Sequence, residues 1–243
     1  SAAVEKLMYL VQLAPGTEPE AARTIMIDDV GAALLDAGAL ALTIDVADEA
    51  AQFTPLAPPP ADDPLHAIVS LWLDAYDYRE PFEAILRDRA TKLAGYQVVE
   101  SMYREYGGNQ WAKSRDWPDG QRSPGPLVVT MFPQHPDMDF ETWIRYWHDK
   151  QSPMSEAIQP RTRYVRNAVF RAITPDAPPF RAIVEEAWPS IEAVTDPMQF
   201  FCADGDPDTL TKNITTMMEH VGTFIPMDQM RNYPMSEWIL KSL

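Results

Sequence analysis

Apolar positions in the second half of the chain change from the spacing of a strand to the spacing of a helix. Residues 127–132 form a short β-prone run, Leu-Val-Val-Thr-Met-Phe. After Asp139, apolar side chains recur every three or four residues as far as Ile158, which is the period of an amphipathic helix. Asp139 is a favourable N-cap, and Pro160 stops a helix. The pattern therefore predicts a strand and then a helix that begins after Asp139 and ends near Pro160.

The apolar runs that follow complete a recognisable order of elements. We predict two strands, an interrupted helical region and a last strand, over residues 161–173, 180–188, 190–219 and 221–230. The order β-α-β-β-α-β is that of a ferredoxin-like unit. The first half shows the same order, with predicted strands over 7–13, 40–47, 65–74 and 96–106 and predicted helices over 18–36 and 81–94.

A short internal match supports a repeated architecture. Leu-His-Ala-Ile-Val at residues 65–69 parallels Phe-Arg-Ala-Ile-Val at residues 180–184, 115 positions later, and both lead into the third strand of their half. Glycine and proline crowd the segment between the halves, which is typical of a linker. We divide the chain into a first half, a linker, a second half and a C-terminal tail, over residues 1–108, 109–126, 127–232 and 233–243.

Each of the two predicted sheets has an apolar face that its own helices do not cover. Two helices cover one face of each four-stranded sheet, and the other face stays apolar until it finds a partner. We therefore expect an α+β protein in which two tandem ferredoxin-like halves pack sheet to sheet and close into a barrel within one chain.

Charge and cysteine content narrow the expected partners. The 243 residues carry a formal net charge of −16, from 20 basic and 36 acidic side chains. Such a chain is repelled by nucleic acid phosphates and by anionic membrane surfaces, so we expect a small-molecule ligand. The single cysteine excludes an intrachain disulfide, which suits a reducing compartment. With no apolar stretch of about 20 residues and no recognisable secretory signal, a cytoplasmic location is expected.

Residues 140–154 of the second half resemble a motif of the EthD family, which belongs to the dimeric α+β barrel superfamily. Phe140, Tyr146, Trp147 and Pro153 match the family pattern, and Gln151 stands where the family usually has histidine. The resemblance covers about residues 127–232, whereas the first half fits only by element order.

The resemblance implies a range of activities. EthD relatives include decarboxylases, dehydratases and cyclases of aromatic or polyketide-like compounds, and an accessory protein of an ether-degrading oxygenase. The wider superfamily holds cofactor-free monooxygenases, lactone isomerases and haem enzymes. Fold alone does not choose among these reactions.

Five polar residues are candidates for catalysis. Gln151 is expected to hold a substrate oxygen, since a buried amide needs a hydrogen-bond partner. Arg163 is expected to bind a carboxylate or enolate oxygen. Asp29 falls near the Gln151 position when the halves are superposed by the strand match (Asp28 is the other choice), and a desolvated carboxylate is a plausible base. His66 and His148 are the other candidates for moving a proton.

Further side chains are expected to contact the substrate, chiefly aromatic and polar residues of the second half. They are Trp143, Trp147, Tyr164, Asn167, Glu185 and Trp188. Strand periodicity places Arg163 and Asn167 on one face of the second strand and Tyr164 and Arg166 on the other. No run of the sequence brings together enough metal ligands to predict a metal site.

Together these features favour a cofactor-free lyase or isomerase that dehydrates, decarboxylates or cyclises a small aromatic or polyketide-like molecule. A non-catalytic binding or accessory protein is an alternative, because Gln151 replaces the family's histidine. A haem-dependent or cofactor-free oxidoreductase is a third, in which His148 or His220 would be examined as the haem ligand. A homodimer is possible.

Overall fold

Eight antiparallel strands close into a barrel in the computed structural model, which describes residues 3–103 and 114–243. The first four strands and their helices follow the predicted order. Their bounds are β1 Glu5–Gln12, α1 Pro19–Arg23, a π-helical segment Thr24–Val30, α2 Gly31–Asp36, β2 Ala41–Val46, β3 Ala67–Leu73, α3 Glu80–Arg89 and β4 Lys92–Met102, with single 3-10 turns at Glu49–Ala51 and Tyr76–Tyr78. The predicted helix to residue 94 stops earlier, because β4 already begins at Lys92. Residues 104–106, also predicted as strand, lie outside the described residues.

The second set of elements repeats this order from residue 127 onwards. Its bounds are β5 Leu127–Phe132, α4 Phe140–Arg145, a π-helical segment Tyr146–Gln151, α5 Ser152–Ile158, β6 Arg163–Ala172, β7 Ala182–Ala187, α6 Glu192–Thr195, α7 Pro197–Phe200, α8 Pro207–Phe224, a 3-10 turn Met227–Gln229 and β8 Arg231–Lys241. The predicted helix over 140–158 is confirmed. Its N-cap is Asp139, whose carboxylate accepts a 2.8 Å hydrogen bond from the Thr142 amide.

The predicted last strand was wrong. Residues 221–224 belong to α8, and the strand is β8, which occupies most of the segment predicted as a tail over 233–243. The helix continues because Met217, Val221 and Phe224 keep the helical period into the protein's interior. Pro226, just beyond the last turn, cannot continue it.

The strand order around the barrel is β1-β3-β2-β8-β5-β7-β6-β4. Two sets of four strands therefore meet at two seams, where β2 pairs with β8 and β4 pairs with β6. The expected sheet-to-sheet association thus includes backbone hydrogen bonds at both seams. In register, Asp45 lies opposite Glu237 at the first seam and Glu100 opposite Asn167 at the second.

Alternation of side chains along the strands divides the core into layers. The barrel interior holds residues such as Met8, Tyr96 and Met235. Outside the first four strands, Tyr9 and its neighbours pack against α1–α3. Outside the last four strands, an aromatic layer separates the sheet from α4, α5 and α8 and contains Phe132, Trp143, Trp147, Tyr164 and Phe224. This second outer layer positions the candidate site.

The helical stretches that follow β1 and β5 each contain a π-helical segment, Thr24–Val30 and Tyr146–Gln151. Such segments insert an extra residue into a helical turn and often occur at functional sites. Among the helices of residues 3–103 and 114–243, none combines the length and apolar character needed to cross a membrane.

Candidate functional site

A cavity of about 310 Å³ lies between the outer face of β5, β6 and β7 and a helical layer formed by the π-helical segment Tyr146–Gln151, α5 and α8. Its wall is mainly apolar, with Phe132, Trp147, Met217 and Phe224 among the lining residues, and the loop around Leu56 borders it from the first half of the chain. A volume near 300 Å³ is at the small end of the range for small-molecule sites. The cavity therefore suits a compact ligand with extensive apolar surface.

Gln151 is the polar side chain that most needs a ligand in this wall. It is buried, and among the described residues its Oε1 has no hydrogen-bond partner, while its Nε2 lies 3.7 Å from the sulfur of Met217. The π-helical segment that ends at Gln151 directs this side chain to the cavity wall. A buried amide left unpaired costs about 1–3 kcal/mol. A ligand hydroxyl in the cavity would remove that cost.

Trp147 and Tyr164 tie the helix to the sheet beside Gln151. The Trp147 indole Nε1 donates a 2.8 Å hydrogen bond to the Tyr164 hydroxyl, and Ser152 Oγ lies 3.4 Å from the same hydroxyl. Burial raises the pKa of Tyr164, so this phenol keeps its proton at neutral pH. It can therefore act as a neutral hydrogen-bond donor at the cavity wall.

Arg161 and Glu186 form the charged part of the wall. The Arg161 guanidinium donates to Glu186 Oε2 at 2.8 Å and to Ser155 Oγ at 2.7 Å. It also stacks 4.0 Å from the centre of the Tyr164 ring. Among the described residues, no hydrogen bond reaches the other oxygen of Glu186, Oε1. The pair thus offers a free carboxylate oxygen beside a buried cation.

The structure brings four of the predicted site residues together at this cavity: Gln151, Trp147, Tyr164 and Trp188. The Trp188 indole Nε1 is buried and has no hydrogen-bond partner within residues 3–103 and 114–243. The ring of Trp188 stacks on Phe200, with 5.0 Å between ring centres. The wall therefore contains an unpaired acceptor on Gln151 and an unpaired donor on Trp188.

Three other predicted residues, Arg163, Asn167 and Glu185, point into the barrel instead. Asn167 Nδ2 donates to Glu185 Oε2 at 3.1 Å, and Arg163 donates to Glu237. The predicted split of β6 into two faces is confirmed, but the face with Arg163 is the interior one. The expectation that these three contact the same ligand as Trp147 was therefore wrong.

The two candidate histidines lie outside the cavity wall. His66 is half-buried and its Nδ1 accepts a 2.9 Å hydrogen bond from the Leu13 amide, which fixes the end of β1. His148 is also half-buried, and no described residue forms a hydrogen bond with its Nε2. Burial, and then the nearby Arg166 charge, lower the pKa of His148 to about 4. His148 is therefore neutral at pH 7 and a weak base.

Asp29 and Trp143 also differ from expectation. Asp29 is half exposed and forms a 3.1 Å ion pair with Arg89 on the protein surface, because Met26 and Val30 take the buried face of that helix. Asp28 is exposed as well. Trp143 is fully buried in the aromatic layer, and its Nε1 donates to the Phe224 carbonyl at 3.0 Å. It supports the wall without lining it.

Arg161 and Glu186 were missed by the sequence analysis. Glu186 follows Glu185, and strand alternation sends the two carboxylates to opposite sides of the barrel wall. Arg161 precedes β6, directly after the helix-stopping Pro160. The sequence offered one indication: Arg161 lies three residues before Tyr164, just ahead of the strand whose outer face carries the Tyr164 side chain.

The residues of the cavity do not provide a haem ligand. Within the described part of the chain, its wall contains no histidine and no cysteine, and residues 104–113 contain neither residue type. Tyr164, the one phenol that the described residues contribute to the wall, already has its hydroxyl bonded to Trp147. The donor set therefore does not fit axial haem coordination.

No protein-family model matches the chain, and no curated protein is significantly similar to it in sequence. Among solved structures, an anthrone oxidase-like protein is similar to it with a TM-score of 0.55 at 11% identity, over 98% of this chain and 92% of that one. A candidate monooxygenase from Lactobacillus acidophilus NCFM has a TM-score of 0.48 at 9% identity, over 99% and 98%. A chlorite dismutase variant from Candidatus Nitrospira defluvii has a TM-score of 0.49 at 9% identity, over 99% of this chain and 93% of that one.

The closed eight-stranded barrel and the first of these likenesses are consistent with the dimeric α+β barrel fold. Identity at this level concerns the fold alone, so the reaction must be argued from the residues. Membership of the EthD family stays a prediction.

Proposed function

We propose that the cavity is the active site of a cofactor-free oxidoreductase that acts on a compact aromatic molecule carrying hydroxyl and keto groups. The observation that carries this proposal is the buried, unpaired Gln151 Oε1 in the wall of a mainly apolar cavity. A flat ring system fills the space between Phe132 and Met217. Its hydroxyl donates to Gln151, and its keto oxygen accepts from Trp188 Nε1.

Glu186 and Arg161 supply the chemistry in this proposal. Glu186 Oε1 removes a proton from an acidified C–H or O–H of the substrate, and Arg161 stabilises the resulting anion. The electron-rich anion then reduces dioxygen. When a doubly benzylic CH₂ becomes a carbonyl, one O₂ provides the carbonyl oxygen and one water, so atoms and electrons balance. The apolar wall also favours dioxygen, which is itself apolar.

The lyase or isomerase reaction that the sequence favours begins with the same step, removal of a proton from the substrate. Proton removal by Glu186 can also start a dehydration, decarboxylation or cyclisation. Dioxygen separates the two possibilities, because the oxidase reaction stops under nitrogen and the lyase reaction does not.

A binding or accessory role is the second candidate. The observation that favours it is the engagement of Arg161 by Glu186 and also by Glu156, at 2.8 and 3.6 Å. A carboxylate held in this way is a weaker base. Such a protein would bind the aromatic molecule and release it unchanged.

We further propose that the two sets of four strands are tandem ferredoxin-like halves. Each set has the strand order fourth, first, third, second in its own numbering. Ala67 and Ala182, which the internal match equates, are the first residues of β3 and β7. The second half would then correspond to the EthD-like unit.

The test is turnover of an anthrone, chosen because its methylene lies between two rings and a keto group, under air and under nitrogen. Quinone formation and oxygen uptake are followed for the native protein, Glu186→Gln and Glu141→Gln. Glu141 is a matched exposed carboxylate on α4. The proposal predicts oxygen-dependent turnover that Glu186→Gln lowers by about 100-fold or more and Glu141→Gln leaves unchanged. Equal rates in all three proteins, or turnover that persists under nitrogen, contradict it.

A further inference from the structure

Three carboxylates converge inside the barrel, on the opposite side of the sheet from the apolar cavity. Asp45 of β2, Glu185 of β7 and Glu237 of β8 are 1%, 5% and 3% exposed. One oxygen of each lies within 4.8 Å of the others. Buried carboxylates normally have individual partners, so the partners of each decide what the cluster needs.

Two of the three have partners. Glu237 accepts hydrogen bonds from Arg163 and from Ser123 Oγ, the latter at 2.8 Å. Glu185 Oε2 accepts from Asn167 Nδ2 at 3.1 Å, and Lys6 Nζ lies 3.9 Å from it.

Asp45 is different. Neither of its carboxylate oxygens has a hydrogen-bond donor anywhere in the described residues, although the side chain is fully buried. It also lies directly opposite Glu237 in the β2–β8 pair, an arrangement in which like charges repel. Among the described residues, the Asp45 carboxylate therefore has no hydrogen-bonding or ion-pairing partner of its own.

Counting the three carboxylates and the charged groups linked to them by ion pairs gives the size of the deficit in positive charge. Lys6 is shared with a fourth carboxylate, Glu100, to which it donates. When all groups are ionised, the cluster has four negative and two positive charges, on Asp45, Glu100, Glu185, Glu237, Lys6 and Arg163. One divalent cation would neutralise the remaining two negative charges.

We propose that Asp45, Glu185 and Glu237 form a binding site for a divalent cation of the size of Ca²⁺. Carboxylate oxygens are the ligands that such hard cations prefer. Opposite ligands of Ca²⁺ are about 5 Å apart, whereas those of Mg²⁺ are about 4 Å apart. The three oxygens lie within 4.8 Å of one another, a limit that falls within the span of opposite ligands of the larger ion.

A polar opening gives the cation a route to the cluster. A separate cavity of about 300 Å³ is lined by Glu185, Glu237 and Glu100 and by the hydroxyls of Ser70 and Thr43, and its wall also contains the cationic side chains Lys6, Arg115, Arg163 and Lys241. The two hydroxyls and water can complete a coordination shell of six to eight oxygens. This opening and the aromatic cavity have no lining residue in common. The cation site can therefore be tested independently of the proposed reaction.

A proton shared by Asp45 and Glu185 is the competing explanation. It would supply Asp45 with a hydrogen bond, but it engages only two of the three converging carboxylates and leaves one negative charge unbalanced. The two explanations differ in their response to metal, since a cation must displace any such proton and release it.

The experiment is calorimetric titration of chelator-treated native protein with Ca²⁺, in two buffers of different ionisation enthalpy. Asp45→Asn is the test variant, and Asp29→Asn, at an exposed ion pair, is the matched control for binding to the acidic surface. The proposal predicts one site per chain, proton release, and a loss of affinity of about tenfold or more in Asp45→Asn only. Thermal unfolding of each variant with and without Ca²⁺ reports whether Asp45→Asn is folded.

Three results would overturn the cation site. They are no binding by the native protein up to millimolar Ca²⁺, equal affinity in the native protein and Asp45→Asn, or an equal loss in Asp29→Asn. In the first case the shared proton is the better account. The native protein would then lose stability as pH rises above the usual Asp range near 4, whereas Asp45→Asn would not.

Discussion

Trp147 and Tyr164 join the helix layer to the barrel through a 2.8 Å hydrogen bond from the indole Nε1 to the phenol oxygen. Both side chains line the aromatic cavity and both are almost completely buried. The bond fixes the orientation of two walls of the cavity at once. The helical period predicted that Trp147 faces the sheet, and strand alternation placed Tyr164 on one face of β6, so the bond connects two residues that local patterns had identified.

Replacing Tyr164 by Phe removes that acceptor and leaves the Trp147 N–H buried and unpaired. We expect a loss of about 1–3 kcal/mol in the free energy of unfolding, measured by urea denaturation. Tyr103→Phe is the comparison, since Tyr103 packs edge-on against Tyr164 without accepting the indole bond. Equal stability of Tyr164→Phe and the native protein would contradict this role.

Gln151→Leu should separate stability from binding. Removing an unpaired buried amide is expected to raise the free energy of unfolding by about 1 kcal/mol. The same change should weaken binding of a hydroxylated aromatic ligand by about tenfold, while the parent hydrocarbon binds as before. Denaturation and ligand titration together test this. A variant that is less stable, or that loses both ligands equally, would show that Gln151 is structural.

Gly125 supports Trp188 from the chain segment that precedes β5. It has a φ of +80°, and a Cβ added there would lie 2.1 Å from the Trp188 carbonyl oxygen. We expect Gly125→Ala to destabilise the protein and to disturb the cavity wall at Trp188.

Gly120→Ala is the matched control, with a φ of +86° and open space around the added Cβ. It should cost about 1 kcal/mol from backbone strain alone, and Gly125→Ala clearly more. If the two alanine variants unfold at the same denaturant concentration, the contact with Trp188 does not matter.

We expect the free energy of unfolding to depend on pH through His148. Its pKa is lowered from the usual 6.5 to about 4, so the unfolded chain binds a proton at a higher pH than the folded one. The stability that the neutral form provides is present above pH 6.5 and is lost as the pH falls from there towards 4. His148→Asn should flatten this part of the stability curve, as measured by urea denaturation at several pH values. An unchanged slope would exclude His148 as its source.

Local patterns predicted most of the fold. The helix over 140–158 follows from the spacing of Trp143, Trp147 and Gln151, and its beginning follows from Asp139. Strand β8 was missed because Asn232, Pro234, Ser236 and Glu237 interrupt its apolar pattern. Those residues are accommodated by partners distant in sequence: Glu237 by Arg163, and Ser236 by Asp48 at 2.6 Å.

The site was predictable to a smaller extent, because only Gln151, Trp147, Tyr164 and Trp188 of the predicted residues line the cavity. Helical spacing identified Trp147 and Gln151, since both belong to one face of one helix. It could not identify Glu186 over Glu185, because the choice depends on which side of β7 faces the helices. The pairing of Asp45 with Glu237 depends on a seam between the first and last parts of the chain, and no local pattern reports it.

The proposed function requires that the cavity between the sheet, the π-helical segment Tyr146–Gln151, α5 and α8 binds an oxygen-bearing aromatic molecule. The most direct measurement is calorimetric titration of a hydroxylated anthrone into the native protein and into Val184→Phe, whose larger ring would occupy the cavity from β7. Circular dichroism establishes that the variant is folded. We predict saturable binding at one site in the native protein and its loss in Val184→Phe. Equal binding by both proteins, or none by the native protein, would contradict the account.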